Sequence, residues 1–170
     1  MSDRENPKDG TVGVGIGADR RALGERTRRA TLGDAHVDRS MGGRTAFDAP
    51  FVGLVTEAAW GTVWADGTIP PRERSMVTLA LLAGLGNWEE FALHLRATAR
   101  TGASREDVAQ VLQHVAIYAG VPRANRAHAV ARAVFAEMDE QPDDRTDGAG
   151  EADASGGAEA FAAEMREEDA

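Results

Sequence analysis

The chain has 170 residues, a net charge of −9 and no cysteine, which excludes disulfides, zinc-thiolate sites and thiol catalysis together. The charge is uneven: Asp139 to Ala170 holds 12 acidic residues against Arg145 and Arg166, so the first 138 residues are nearly neutral. With no basic stripe interleaved with aromatics, that body gives no support to nucleic-acid binding, whereas anionic small molecules stay open as partners.

In chain order, residues 1–22 are glycine-rich, show no sustained period and are expected to be disordered. Gly13, Gly15 and Gly17 superficially resemble a nucleotide-binding loop, but no strand of useful length precedes them and no apolar helix follows at the required spacing. No stretch approaches the roughly 18 apolar residues of a membrane span, and the N-terminus has no charged-then-apolar signal pattern. A cytoplasmic protein is expected.

Glu25 to Asp38 reads as the first helix. Phe47 to Trp64 reads as the next, with Phe51, Leu54, Val55, Ala58, Ala59 and Val63 as its apolar residues. Met76 to Leu85 is apolar on nearly every face, opened by Pro70-Pro71 and closed by Gly84 and Gly86. Such a helix is central, buried either by the monomer core or by a partner subunit. The stretch WEEFALHLRA, Trp88 to Ala97, follows and runs to a stop at Thr101-Gly102. From Ser104, paired with Asp107 as a cap, Val108, Val111, Leu112, Val115, Ala116 and Ala119 keep helical spacing up to Gly120. Pro122 opens the last helix, whose stripe is Ala127, Val130, Ala131 and Val134 before Met138. Residues 139–170 form an acidic tail with too little apolar surface to offset its ordering entropy, and it too is expected to be disordered.

No alternating pattern competes, so the expected fold is all-α, a domain over residues 23–138 of about six helices. Alanine-rich helices in so short a body make a modest core. The fully apolar helix therefore predicts a homo-oligomer, which could also place residues of two chains around one site.

The densest cluster of proton-handling and anion-holding side chains is Glu90, His94 and Arg96. Glu90 and His94 are four apart and share a helical face, so the carboxylate could orient the imidazole while its other edge meets a substrate. Glu90 could instead close a capping box on Asn87, and His94 could be a core histidine. His36 and Arg39 are three apart on a predicted helix and face one way, as a substrate-binding arm or as a cap between helices. His114 and His128 fall on polar surroundings and are expected to be solvated. Trp60, Trp64 and Trp88 are expected to supply core or interface area, and one could wall a pocket.

The segment RRATLGDAHVDRS, then FVGLVTEAAWGTVWADGTIPPRERSMVTLALLAGLGNWEEFALHLRATARTGASREDVAQVLQHVAIYAGVPRANRAHAVA, resembles the gamma-carboxymuconolactone decarboxylases over about Glu25 to Met138. The wider superfamily of this helical fold includes AhpD-like alkylhydroperoxidases, which use two cysteines on the histidine-bearing helix. Here Asn87 and Glu90 precede His94, which removes peroxidase chemistry and leaves the decarboxylase branch.

The resemblance implies an AhpD-like bundle, a hexameric ring and decarboxylation of 4-carboxymuconolactone to the beta-ketoadipate enol-lactone in protocatechuate catabolism, without metal or organic cofactor. It gives His94 the part of general acid or oxyanion donor, and it puts Glu73 at the place of the superfamily's proton-relay glutamate. Glu73 could instead be a first-turn acid favoured by the helix dipole. Candidates for holding a substrate carboxylate are Arg72 and Arg74 beside Glu73, Arg96 beside the histidine turn, and the His36–Arg39 pair. Other readings left open are a cofactor-free isomerase or lyase, a cysteine-less peroxidase relative, and a non-catalytic binding or stress protein.

Overall fold

The computed structural model describes residues 12–140, so the expectations for residues 1–11 and 141–170 lie outside it. The described residues are helical throughout, without a strand. The order is α1 (Val12–Leu32), α2 (Asp34–Gly42), α3 (Ala49–Val55), a π-helix (Thr56–Trp64), α4 (Pro71–Leu85), α5 (Trp88–Thr101), α6 (Arg105–Tyr118) and α7 (Val121–Glu140). No described helix is long and apolar enough to cross a membrane.

Two differences from the sequence reading matter for the site. The helix expected from Glu25 to Asp38 is two helices. The first starts at Val12, within the stretch expected to be disordered, and the break falls at Gly33, whose φ of 88° is open to glycine and strained for other residues. The helix expected from Phe47 to Trp64 changes pitch at Thr56 and finishes as a π-helix. One face of that π-helix lies directly on α1, because Gly24 and Gly61 bring the two backbones together. A Cβ on Gly24 would collide with the Thr56 carbonyl oxygen, and one on Gly61 with that of Arg20.

The remaining boundaries are set by local chemistry. Pro71 opens α4 and left-handed Gly86 closes it. Left-handed Gly102 closes α5. At α6, Ser104 Oγ accepts from the Asp107 amide at 3.1 Å while the Asp107 carboxylate accepts from the Ser104 amide at 2.9 Å. That is the expected reciprocal cap, worth about 1 kcal/mol.

Helices α4 to α7 enclose the main core, in which Leu79, Phe91, Leu95, Val108, Leu112, Ala127 and Val134 are buried. Each large side chain buried there contributes about 1.5–3 kcal/mol, and truncating a fully enclosed one such as Leu95 to alanine would cost about 2–5 kcal/mol. A second apolar cluster of Leu32, Val37, Trp60 and Ala97 joins α1, α2, the π-helix and α5, with Val55, Ala59, Trp64 and Leu93 packed around it. Helix α5 serves both clusters, and His94 lies on it.

The apolar helix α4 departs from expectation in one respect. Ser75, Leu79 and Ala83 are buried, but Val77, Leu81 and Leu85 face outward.

Candidate active site

His94 is the one ionisable side chain among the buried residues described, with 9% of its surface exposed. Its ring stacks on two indoles of the π-helix, Trp64 at 5.6 Å between centroids and Trp60 at 6.4 Å, with interplanar angles of 22° and 9°. The two indoles pack on each other at 5.3 Å. Nδ1 of His94 is buried and has no hydrogen-bond partner, an arrangement that a purely structural histidine would resolve with a backbone carbonyl.

Burial is the main force on its ionisation. It lowers the pKa from 6.5 to about 4, Glu90 pulls the other way, and His36 adds to the lowering. The imidazole is therefore neutral near pH 7, with one nitrogen a donor and the other an acceptor. Glu90 lies one turn earlier, exposed. It acts on His94 through space and does not hydrogen-bond it, contrary to the orienting role expected. The Asn87 side chain makes no capping bond either, so the capping box considered for Glu90 is not formed.

His36 is half-buried on α2, and its pKa is lowered first by burial and then by the charges of Arg28, Arg39 and Arg96. The HVDR segment thus lies within electrostatic reach of the histidine helix, a placement that its spacing alone did not indicate. The charges of Arg28, Arg39 and Arg96 act on His36, and His36 in turn acts on His94.

The other candidates lie elsewhere in the bonding pattern. Arg72 donates to Asp107 of α6 through Nε at 2.7 Å, with a second contact through Nη2, and to Glu73 at 3.0 Å. Arg74 donates to the Asp66 carbonyl at 2.7 Å and holds the loop ahead of α4. Arg96 is paired with Glu137 of α7 at 2.5 Å. Glu73 Oε1 accepts from Arg72, and its buried Oε2 is without a partner. The charges that act on His94 are those of Glu90 and His36. Glu90 and His36 thus act on His94, and Arg39 and Arg96 act on His36, while Arg72 and Glu73 join at the α4–α6 contact and Arg74 is tied to Asp66 ahead of α4.

Two features escaped the sequence reading. Trp60 and Trp64 act as a pair around His94, which depends on the π-helix. Arg28 is part of the charged cluster; its position in the run RTRR of a long helix carries no mark of that. His114 is exposed and contacts the Gln110 carbonyl at 3.1 Å, in keeping with a solvated residue. Trp88 packs edge-on to Phe91 at 6.3 Å, with the Arg123 guanidinium over its ring.

Comparison with known proteins identifies the family of the chain. Residues 49–133 match the carboxymuconolactone decarboxylase family. A 4-carboxymuconolactone decarboxylase of Acinetobacter baylyi is 34% identical over 120 residues, 71% of this chain and 90% of that protein. A nitrosuccinic acid decarboxylase of Metarhizium robertsii is 32% identical over 115 residues, 68% of this chain and 80% of that protein. The matched region contains the π-helix, α4, α5 and α6, and so both tryptophans and the histidine.

Proposed function

We propose, from the premise that the chain belongs to the carboxymuconolactone decarboxylase family, that it converts 4-carboxymuconolactone to the beta-ketoadipate enol-lactone with release of carbon dioxide. The observation that carries the reading is His94: a neutral imidazole against a pair of indoles, one ring nitrogen unpaired, next to His36 and the arginine charges that act on it.

The substrate is a lactone with two carboxylates. One is vinylogous to the lactone carbonyl. When its bond to the ring breaks, the electron pair moves through the ring double bond onto the carbonyl oxygen, carbon dioxide leaves, and a dienolate remains. One proton added to ring carbon completes the product, so the dianionic substrate and one proton give a monoanion and carbon dioxide. The transition state thus needs a hydrogen-bond donor at the developing oxyanion, an apolar seat for the departing carboxylate and a source of one proton.

His94 supplies the donor. At a pKa of about 4 it is a poor source of imidazolium at neutral pH, but a neutral imidazole N–H in a dry setting is a strong oxyanion partner. The faces of Trp60 and Trp64 exclude water around it. Glu90, exposed one turn away, is the one carboxylate whose charge acts on His94 and is the candidate source of the proton added to ring carbon. Glu73 contributes as a second carboxyl only if assembly of subunits brings α4 of one chain to the histidine of another. The same condition governs Arg72 and Arg74. We further propose a homo-oligomer, supported by the outward apolar row on α4, a cytoplasmic location, and catalysis without metal or organic cofactor.

The test is carbon dioxide release by purified protein from enzymatically generated 4-carboxymuconolactone, with nitrosuccinate as a parallel substrate. Turnover of the lactone supports the proposal. Turnover of nitrosuccinate alone would replace it with a different dicarboxylate substrate on the same histidine.

A further inference from the structure

Arg28 of α1 and Arg44, just beyond α2, converge on one serine. Arg28 Nη2 donates to Ser40 Oγ at 2.9 Å, and Arg44 Nε donates to the Ser40 carbonyl at 2.6 Å. Arg28 also reaches the Met41 sulfur at 4.0 Å. Among the described residues neither guanidinium is paired with a carboxylate. The neighbouring Arg29 shows the contrast, held by Asp34 at 3.0 Å and Asp38 at 2.8 Å.

Two partly enclosed guanidiniums on one neutral serine repel each other, and burial together with Arg44 and Arg29 lowers the affinity of Arg28 for its proton. Surface arginines avoid this by pairing or by turning to water. Here the pair is held in place by Ser40, which also donates its hydroxyl to the Val37 carbonyl at 2.8 Å. An anion between the two arginines would relieve the repulsion and accept forked donors. The field continues toward the histidine, since Arg28 acts on His36 and His36 on His94.

We propose that Arg28 and Arg44, bridged by Ser40, seat the carboxylate that the substrate keeps, so that the departing carboxylate is turned toward Trp60 and Trp64. This rests on the decarboxylase reading and adds an orientation to it. The assignment of the two carboxylates follows from charge. The departing group loses its charge in the transition state, so cations around it would stabilise the ground state and slow the step. The retained group keeps its charge throughout, and binding it tightly costs nothing in the chemical step. Arg96 is tied to Glu137 and is less free to serve this role.

The experiment compares wild type with Arg28→Gln, Arg28→Lys and Arg44→Gln, each checked for helicity. With carboxymuconolactone, each glutamine variant should raise KM about tenfold or more, the scale of losing a charged hydrogen-bond partner, with a much smaller fall in kcat, and Arg28→Lys should recover part of the loss. Independently of turnover, millimolar glutarate should raise the melting temperature of wild type, dimethyl glutarate should not, and both glutamine variants should lose the response. A fall in kcat at unchanged KM, or a glutarate response equal in wild type and the glutamine variants, would overturn the proposal. A wild type that responds to glutarate through Arg28 and Arg44 but releases no carbon dioxide would support the carboxylate seat and refute the reaction assigned to it.

Discussion

The imidazole of His94 lies against the indole of Trp64 at 5.6 Å, the planes 22° apart. The indole face takes water away from the imidazole without offering a proton acceptor. Burial then favours the uncharged ring, and no bonded carboxylate reverses the effect, because Glu90 is only a through-space influence. What results is a dry neutral donor, suited to an oxyanion and unsuited to carrying a proton at neutral pH.

His94→Ala should therefore lower turnover by about a hundredfold or more, the effect of removing one well-placed oxyanion donor. His94→Gln, which keeps a donor of similar reach, should retain more activity than alanine. Circular dichroism on both variants checks that the helices persist. Equal and small losses for the two would remove His94 from the site.

The same ring sets a pH dependence with a definite sign. The folded pKa is about 4 against 6.5 for an exposed histidine, so as pH falls below 6.5 the unfolded chain gains a proton that the folded chain refuses until about pH 4. Stability is free of this penalty above pH 6.5 and loses up to about 3 kcal/mol on the way to pH 4. Urea unfolding of wild type and His94→Gln between pH 7 and pH 4 should show the steeper loss in wild type. The kcat profile should have no inflection near 6.5 from this residue.

Gly24→Ala tests how the tryptophans are positioned. Its methyl group would collide with the Thr56 carbonyl at the start of the π-helix, whereas Gly42 has open space around it. Gly24→Ala should cost about 1–3 kcal/mol or more and reduce activity through the displaced Trp60 and Trp64. Gly42→Ala should change stability by about 0.5 kcal/mol or less. A thermal melt of the two variants decides it.

Local chemistry was readable in the sequence. The Ser104–Asp107 cap, the Pro71 start and the Gly86 and Gly102 ends depend on residues within a turn of one another, and each was found where the spacing indicated. The spacing of His36 and Arg39 indicated a shared helical face, but not its proximity to His94, which depends on how α2 packs. The π-helix was not readable. A change from i→i+4 to i→i+5 bonding leaves no mark in hydrophobic period, yet it sets how Trp60 and Trp64 meet His94. Arg28 and the pairing of Arg72 with Asp107 were hidden for another reason: partners far apart in sequence are decided by how helices pack.

Arg72 offers a direct check of that separation. Its guanidinium is engaged by Asp107 across the α4–α6 contact and by Glu73 of its own helix, but it is exposed, so Arg72→Gln should lower stability only slightly. If subunits do not share sites, KM should stay within about twofold while stability falls. A large rise in KM would mean that α4 of one chain reaches the histidine of another.

The outward row on α4 bears on that alternative. Val77, Leu81 and Leu85 recur every fourth residue with 54%, 59% and 68% of their surfaces exposed, a continuous apolar stripe along one helix. Water contact along such a stripe is unfavourable at about 25 cal/mol per Å², and a second copy of the same stripe meeting it around a twofold axis would remove it on both chains at once. Leu81→Arg, central in the row, should then convert an oligomer to smaller species, because the charge would have to be buried without a partner. Light scattering at micromolar concentration reads the mass directly. A wild-type monomer with full decarboxylase activity would show that the stripe is not a subunit contact and that each chain carries a complete site.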